Sequence, residues 1–418
     1  MSSLTPRRIL IVVENLPVPL DRRVWLEATT LVDAGYEVSV ICPMGRGWTK
    51  PYEVIQGVHI YRHSEPPEAH SGAIAYAREY GHALWHWFRL ARKVRRERGF
   101  DVIQGCNPPD LIFLLAWWHR LRGVRYMFDH HDVCPELFEA KFGKRGLLYT
   151  IMLVWERLTF ATASVSIATN ESFRAIALRR GRMAPEDVFV VRSAPRIESF
   201  LPGPGAAVHR KGAATVMGYV GVIGQQEGMD LLVAAADHLI RKLDQRDVHF
   251  VIVGFGPQVP EVQRDVKARG LERYFTFTGA LYGEAMLEVL NSIDIGVSPD
   301  PKNAMNDIST MNKVMEYMTL QKPVVQFDLT EGRASAGEAS LYARENDPVD
   351  FAAQIARLIA DPALRVEMGR QGRARVLERL SWTHSVPQLL GAYDRLFAKH
   401  KRAPKAAAQV APVTNPPR

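Results

Sequence analysis

LPGPGAAVHRKGAA (201–214) has no hydrophobic period and is rich in Gly, Pro and Ala, and directly after it TVMGYVG (215–221) opens a new series of apolar runs. The first segment reads as a linker and the second as a buried strand. Downstream come VHFVIVG (248–254), FTFTGA (275–280), IDIGVSP (293–299) and KPVVQFD (322–328), with helical segments at 229–243 and around 310–320. Upstream the same alternation has already run once, through RILIVVE (8–14), EVSVICP (37–43), FDVIQGC (100–106), RYMFDHH (125–131), ASVSIAT (163–169) and VFVVRSA (188–194). Continuous β-branched runs separated by helices are the pattern of parallel strands buried on both faces. The expectation is an α/β protein of two parallel-sheet domains, 1–200 and 215–385, joined by 201–214. A helix at 386–401 is expected to pack back on the first domain, with a disordered tail at 402–418. Ligands of such sheets bind beyond the carboxyl ends of the strands, so both domains aim their loops into a central cleft.

The 418 residues suffice for two cores, and 47% apolar with 23% charged residues is a globular balance. A net charge of +8 favours anionic partners such as a phosphorylated small molecule or a membrane surface. Cys42, Cys106 and Cys134 are too few and scattered for a disulfide framework or zinc site, which fits a reducing compartment. The apolar run after Arg7 and Arg8 has five residues, so no secretory signal is expected. LIFLLAWW (111–118) and LLYTIMLVW (147–155) fall short of the roughly 20 residues that span a bilayer.

Four stretches carry candidate chemistry. In SPDPKNAMNDISTMNKVMEYMTLQKPVVQFD (298–328), Asp307, Ser309 or Thr310 is placed to cap a helix whose first turn holds Met311, Asn312 and Lys313. Free N–H groups at such an end bind anions, and Lys313 adds a cation. Glu316, three residues on, suits a pair of ribose hydroxyls; a plain surface Lys–Glu pair is the other reading. In FDHHDVCPELFEAKFG (128–143), His130, His131 and Asp132 follow an apolar strand, where cleft residues stand. Adjacent His side chains point to opposite sides of a strand and no third ligand is spaced for an ion, so no metal is expected. GYVGVIGQQEG (218–228) and VGFGP (253–257) offer Gly221, Gly224, Gly254 and Gly256 for close approach to a phosphate, without the dehydrogenase fingerprint. YAREYGHALWHWFRLARKVRRERG (76–99) combines Trp85, Trp87 and Phe88 with Arg89, Arg92, Lys93, Arg95, Arg96 and Arg98. If helical it suits an anionic headgroup surface or a solvated face; no motif accompanies it that would suit nucleic acid.

With these segments in order, DRRVWLEATTLVDAGYEVSVICP (21–43), DHHDVCPELF (129–138), TNESFR (169–174), YVGVIGQQEGMD (219–230) and NDISTMNKVMEYMTLQKPVVQFDLTEGR (306–333) together resemble glycosyltransferase family 4, over about residues 8–395. The branch most similar is that of bacterial exopolysaccharide and O-antigen enzymes. The resemblance implies a GT-B fold, two Rossmann-like domains facing a cleft. The N-terminal domain would take the acceptor, with Asp21, Arg22, His130 and Asp132 on that side, and the C-terminal domain the nucleoside diphosphate sugar. It implies metal-independent, retaining transfer without a cofactor, with a UDP-sugar as the expected donor. The acceptor would be a lipid-linked or oligosaccharide chain at the cytoplasmic face of the inner membrane. Glu316 matches the Glu that holds the ribose, and His131 the cleft His, with His130 as substitute.

The sequence also departs from the family. Its diphosphate-clamping Gly-Arg and Lys-Gly correspond to Gly221-Val222 and Glu227-Gly228, the first Glu of its pair to Ile308, and its N-terminal Gly-Gly to the Pro-rich loop after residue 14. Lost electrostatic donors of this kind cost ~3 kcal/mol of barrier each. Lys313 with the 310–312 amides, Arg333 and, near the sugar, Asp307 are the expected replacements. A degenerate nucleotide-sugar-binding scaffold and a GT-B epimerase are the alternatives.

Overall fold

The computed structural model describes residues 6–65, 73–143, 145–195 and 197–399; the expected tail at 402–418 lies outside them. Fourteen strands among these residues form two sheets. The first contains β1 (Arg8–Val13), β2 (Glu37–Pro43), β3 (Tyr52–Ile55), β4 (Val58–His63), β5 (Val102–Cys106), β6 (Arg125–His130), β7 (Val165–Ala168) and β8 (Val188–Val190). Its order is β3-β4-β2-β1-β5-β6-β7-β8, parallel except for β3. The second contains β9 (Thr215–Val222), β10 (Val248–Phe255), β11 (Phe275–Gly279), β12 (Ile295–Ser298), β13 (Val324–Phe327) and β14 (Ser340–Ala343), in the parallel order β11-β10-β9-β12-β13-β14.

Each sheet is covered on both faces, which is why its strands read as unbroken apolar runs. Ile9, Ile11 and Val13 pack to one side of β1 and Leu10 and Val12 to the other. In the second sheet Tyr219 and Ile252 face one core while Val216 and Val251 face the other. The helix Trp382–Ala398 follows the second domain in sequence yet inserts Leu389, Tyr393 and Leu396 among Ile9, Ile11 and Val38 of the first. Each large apolar side chain buried this way contributes ~1.5–3 kcal/mol. Trp382 Nε1 donates to Thr30 Oγ1 at 2.9 Å and fixes the start of that helix.

The β3–β4 hairpin was not among the expected strands. Its turn, Gln56-Gly57, has both residues at positive φ (48° and 79°) without the Asn-Gly signal, and β3 alternates between exposed and half-buried as an edge strand.

Strand order fixes where a ligand can sit. In the first sheet the order reverses between β1 and β5, and in the second between β9 and β12. A crevice opens at the carboxyl end of each reversal. The loops leaving these strands carry Asp21, Asn107, Gly224 and Asp300, and they face one another across the interdomain cleft.

Candidate active site

The first wall is built after β1. Asp21 caps the helix Arg22–Asp33, its carboxylate accepting from Val24 N at 3.1 Å, and burial raises its pKa. That cap sets the direction of the next two side chains. Arg22 crosses the cleft and pairs with Glu316 Oε1 on the helix Asn312–Thr319. Arg23 turns inward, its Nη2 donating to Asp129 Oδ1 at 2.7 Å and its Nε lying 3.2 Å from Glu27 Oε1. Between the domains Pro19, Arg22, Phe200, Met286, Asn312 and Glu316 line a cavity of about 340 Å³. Glu316 is nearly buried at its floor. Burial pushes its pKa up, against the pull of Arg22 and Lys313.

His131 stands on a network that the sequence did not announce. Its Nε2–H donates to Asp129 Oδ2 at 2.6 Å, which fixes the tautomer and leaves Nδ1 as the basic nitrogen. Burial alone would raise the pKa of Asp129, but Arg23 and His131 outweigh it and hold the carboxyl below the usual range. Behind it Gln104 Nε2 donates to Glu27 at 2.6 Å and Asp129 at 3.1 Å, and Tyr393 of the C-terminal helix donates to Gln104 Oε1. Burial, then the Asp129 charge, pushes Glu27 far above the carboxylate range. Asn107 shapes the loop, its Oδ1 accepting from the amides of His131 at 2.7 Å and Asp132 at 3.2 Å. Among Arg23, Glu27, Asn107 and Gln104, the first two stand in the quoted segment 21–43, Gln104 is a single polar residue inside an apolar run, and Asn107 opens a Pro-rich turn.

His130 is not a cleft residue. It is wholly buried, with ring centroids 4.8 Å from Phe173 and 5.3 Å from both Phe128 and Phe160, and burial pushes its pKa down to about 3. Pleat alternation explains the split: His131 faces the network and His130 the aromatic core.

The second wall starts with Lys313. Its Nζ donates to both oxygens of Asp300 at 2.7 and 2.8 Å and lies 5.1 Å above the Tyr219 ring. The expected free cation is thus a buried ion pair at the foot of β12. Its stem passes under Gly221, where an added Cβ would meet Lys313 Cε at 3.7 Å. Met311 supplies no side-chain cap to the Asn312–Thr319 helix; Val314 N donates to Met311 O at 3.1 Å, and the Asn312 and Lys313 amides remain for a ligand. Thr310 Oγ1 instead accepts from Asn170 Nδ2 of the first domain at 3.0 Å.

Asp307 accepts from Thr330 N (2.9 Å) and Oγ1 (3.0 Å), holding the start of the Thr330–Ala336 helix. Arg333 pairs with Asp328 and stacks on Tyr342 at 4.2 Å. Gly254 is glycine because a Cβ there would lie 1.9 Å from Gly221 O, and Gly256 because one would lie 2.2 Å from Ile223 O. Both let the β9 and β10 loops touch backbone to backbone. Glu227, in place of the family's Lys, folds back to accept from Gly224 N at 2.9 Å, and Val222, in place of its Arg, is 46% exposed.

The comparisons agree with this architecture. Residues 20–194 match the model described as "Glycosyl transferase 4-like domain" and residues 214–361 that of "Glycosyl transferases group 1". The chain is 27% identical to an alpha-D-kanosaminyltransferase of Streptomyces kanamyceticus over 43% of this chain, a match that spans only 45% of that relative's length. It is 26% identical to the 2-deoxystreptamine glucosyltransferase of the same organism, over 74% of this chain and 81% of that one. Among solved structures, the sucrose-phosphate synthase of Thermosynechococcus elongatus superposes with a TM-score of 0.74 at 18% identity, over 94% of this chain and all of that one. Anabaena HepE in complex with UDP-glucose gives 0.68 at 14%, over 93% and 99%. With two parallel sheets whose switch points face one cleft, and both halves matched in order, the chain belongs to the family 4 glycosyltransferases of GT-B fold.

Proposed function

We propose that the chain transfers a sugar from a nucleoside diphosphate donor, UDP-linked, to a lipid-linked or oligosaccharide acceptor in bacterial surface polysaccharide synthesis. Transfer retains anomeric configuration and needs no metal. The observation that carries this reading is the buried Glu316 carboxylate at the floor of the cleft cavity, one turn from the uncapped start of its helix. A ribose diol bonds to that carboxylate once Arg22 releases it, and the diphosphate falls on the first-turn amides beside Gly221 and Lys313. The UDP-glucose complex of the similar fold supports the donor class.

Developing charge on the diphosphate is met by helix amides and Lys313, which Asp300 shares until the donor arrives. Arg22, freed from Glu316, is the second mobile cation at the site, in place of the expected Arg333. His131, oriented by Asp129, borders the sugar on the acceptor side.

No described helix is long and apolar enough to cross a membrane. Contact with an anionic membrane surface is instead proposed through the helix Ala73–Glu97 and its neighbour Ile112–Arg120. Of the aromatic residues expected there, Trp87 is buried and donates to Glu14 at 2.7 Å, Phe88 lies 6.5 Å from the Trp118 ring, and Trp85 is exposed, as are Trp117, Trp118 and Leu121. Arg89 lies over Trp85 and Arg122 over Trp118, a basic rim around an apolar patch.

The test is UDP release from a panel of UDP-sugars, with and without a polyprenyl-linked acceptor, and NMR of the product's anomeric carbon. Acceptor-dependent release in chelator with retained configuration is expected. An inverted product, or no release from any donor, would refute the proposal.

A further inference from the structure

At the carboxyl ends of β1 and β4 lies a cluster to which the donor site described above assigns no role. His63 ends β4, Glu14 directly follows β1, and His82 and His86 stand one turn apart on the helix Ala73–Glu97. One ligand atom from each of the three His rings lies within 4.8 Å of the others. The Nε2 atoms of His82 and His86 are 3.1 Å apart, and Ser64 Oγ sits 3.1 and 3.3 Å from them.

His63 Nδ1 lies 2.8 Å from Ser64 O and its Nε2 lies 3.1 Å from Glu14 Oε2. Glu14 Oε1 is buried with no hydrogen-bond partner among the described residues, and so are Nδ1 of His82 and His86.

We infer that His63, His82 and His86 form a divalent transition-metal site of zinc type that fastens the Ala73–Glu97 helix to the end of β4, with Glu14 beside His63. Zinc–nitrogen bonds of 2.0–2.1 Å at tetrahedral angles separate ligand atoms by about 3.3 Å, close to the 3.1 Å between the Nε2 atoms of His82 and His86. Three imidazoles are borderline donors that favour zinc over magnesium or calcium. Trp87 Nε1, donating to Glu14 Oε2, is the outer partner that orients the carboxylate. Ser64, exposed, leaves the site open on one side. The ion's role is structural, so it does not conflict with metal-independent transfer in the cleft.

The test uses the tag-free full-length chain, stripped with chelator and returned to chelator-free buffer. Calorimetric titration with ZnCl2 is expected to show about one ion per chain bound below ~1 µM, and CoCl2 to give the visible bands of a tetrahedral nitrogen–oxygen site. His82→Gln/His86→Gln is expected to weaken zinc at least ~100-fold and abolish those bands, with His82→Gln alone costing about tenfold. His209→Gln, at a surface ring paired with Glu288, should bind as wild type. Zinc should also raise the thermal midpoint of wild type and not of the double variant. Circular dichroism shows which variants are folded; if the double variant is not, His82→Gln decides. Absence of saturable zinc binding by folded wild type, or undiminished binding and cobalt bands in the folded His82 variant, would overturn the inference.

Discussion

Asp129 is the residue on which the first wall turns, because it is the carboxylate shared by Arg23 and His131. Asp129→Asn keeps the shape, leaves Arg23 without its charge partner and frees the His131 ring. The expected outcome is a loss of about 3 kcal/mol in stability by denaturant melts. A fall in kcat of at least about tenfold, with KM for the donor little changed, is expected from steady-state assays. A second residue-scale prediction concerns Asp110, wholly buried and raised to about 7 by burial and then by Glu156. A carboxyl whose folded pKa exceeds its unfolded value binds more protons when folded, so its contribution falls as pH rises between about 4 and 7. Wild type should therefore lose on the order of 2–4 kcal/mol across that window, and Asp110→Asn should flatten the loss in melts at pH 5, 6, 7 and 8. At this scale the sequence was partly legible. Glu316 and His131 stand in segments whose order could be read, whereas Asn107, Gln104 and the His63 cluster gather from separate strands and a helix, with no local pattern.

Among the elements, the Asn312–Thr319 helix and the C-terminal helix decide most. Lys313→Ala removes a cation but strands Asp300 in a nearly dry site, so two effects mix. Lys313→Ala/Asp300→Ala separates them. The double variant should recover stability relative to the single one while staying at least about tenfold weaker for nucleotide, as read by melts and calorimetry. For the C-terminal helix, Tyr393→Phe deletes the hydroxyl that reaches Gln104 and should cost ~1 kcal/mol. Trp382→Ala, which empties a core position, should cost ~3–5 kcal/mol. Strand positions were legible because both faces of each sheet are covered. The edge hairpin was not, because half-exposed β3 lacks an apolar run and Gln56-Gly57 is a weak turn signal. Nor did spacing reveal that Asp307 braces the Thr330–Ala336 helix, since that contact joins loops 23 residues apart.

For the molecule as a whole, two sheets with facing switch points make the cleft, and the basic aromatic rim on the first domain is the side we propose it turns to a membrane. Arg89→Glu/Arg92→Glu/Arg96→Glu should reduce co-sedimentation with vesicles containing about 30% phosphatidylglycerol severalfold, and most at low salt. Arg95 is left alone because it packs over Phe100. Unchanged sedimentation would remove the membrane surface from the account. The donor site is its centre, and calorimetric titration with UDP, GDP and ADP against wild type and Glu316→Ala tests it most directly. The account predicts that wild type binds UDP best and that Glu316→Ala binds it at least about tenfold more weakly, roughly the loss of one hydrogen bond to a charged group. Binding of UDP by Glu316→Ala with wild-type affinity, or of no nucleotide by wild type, would contradict it.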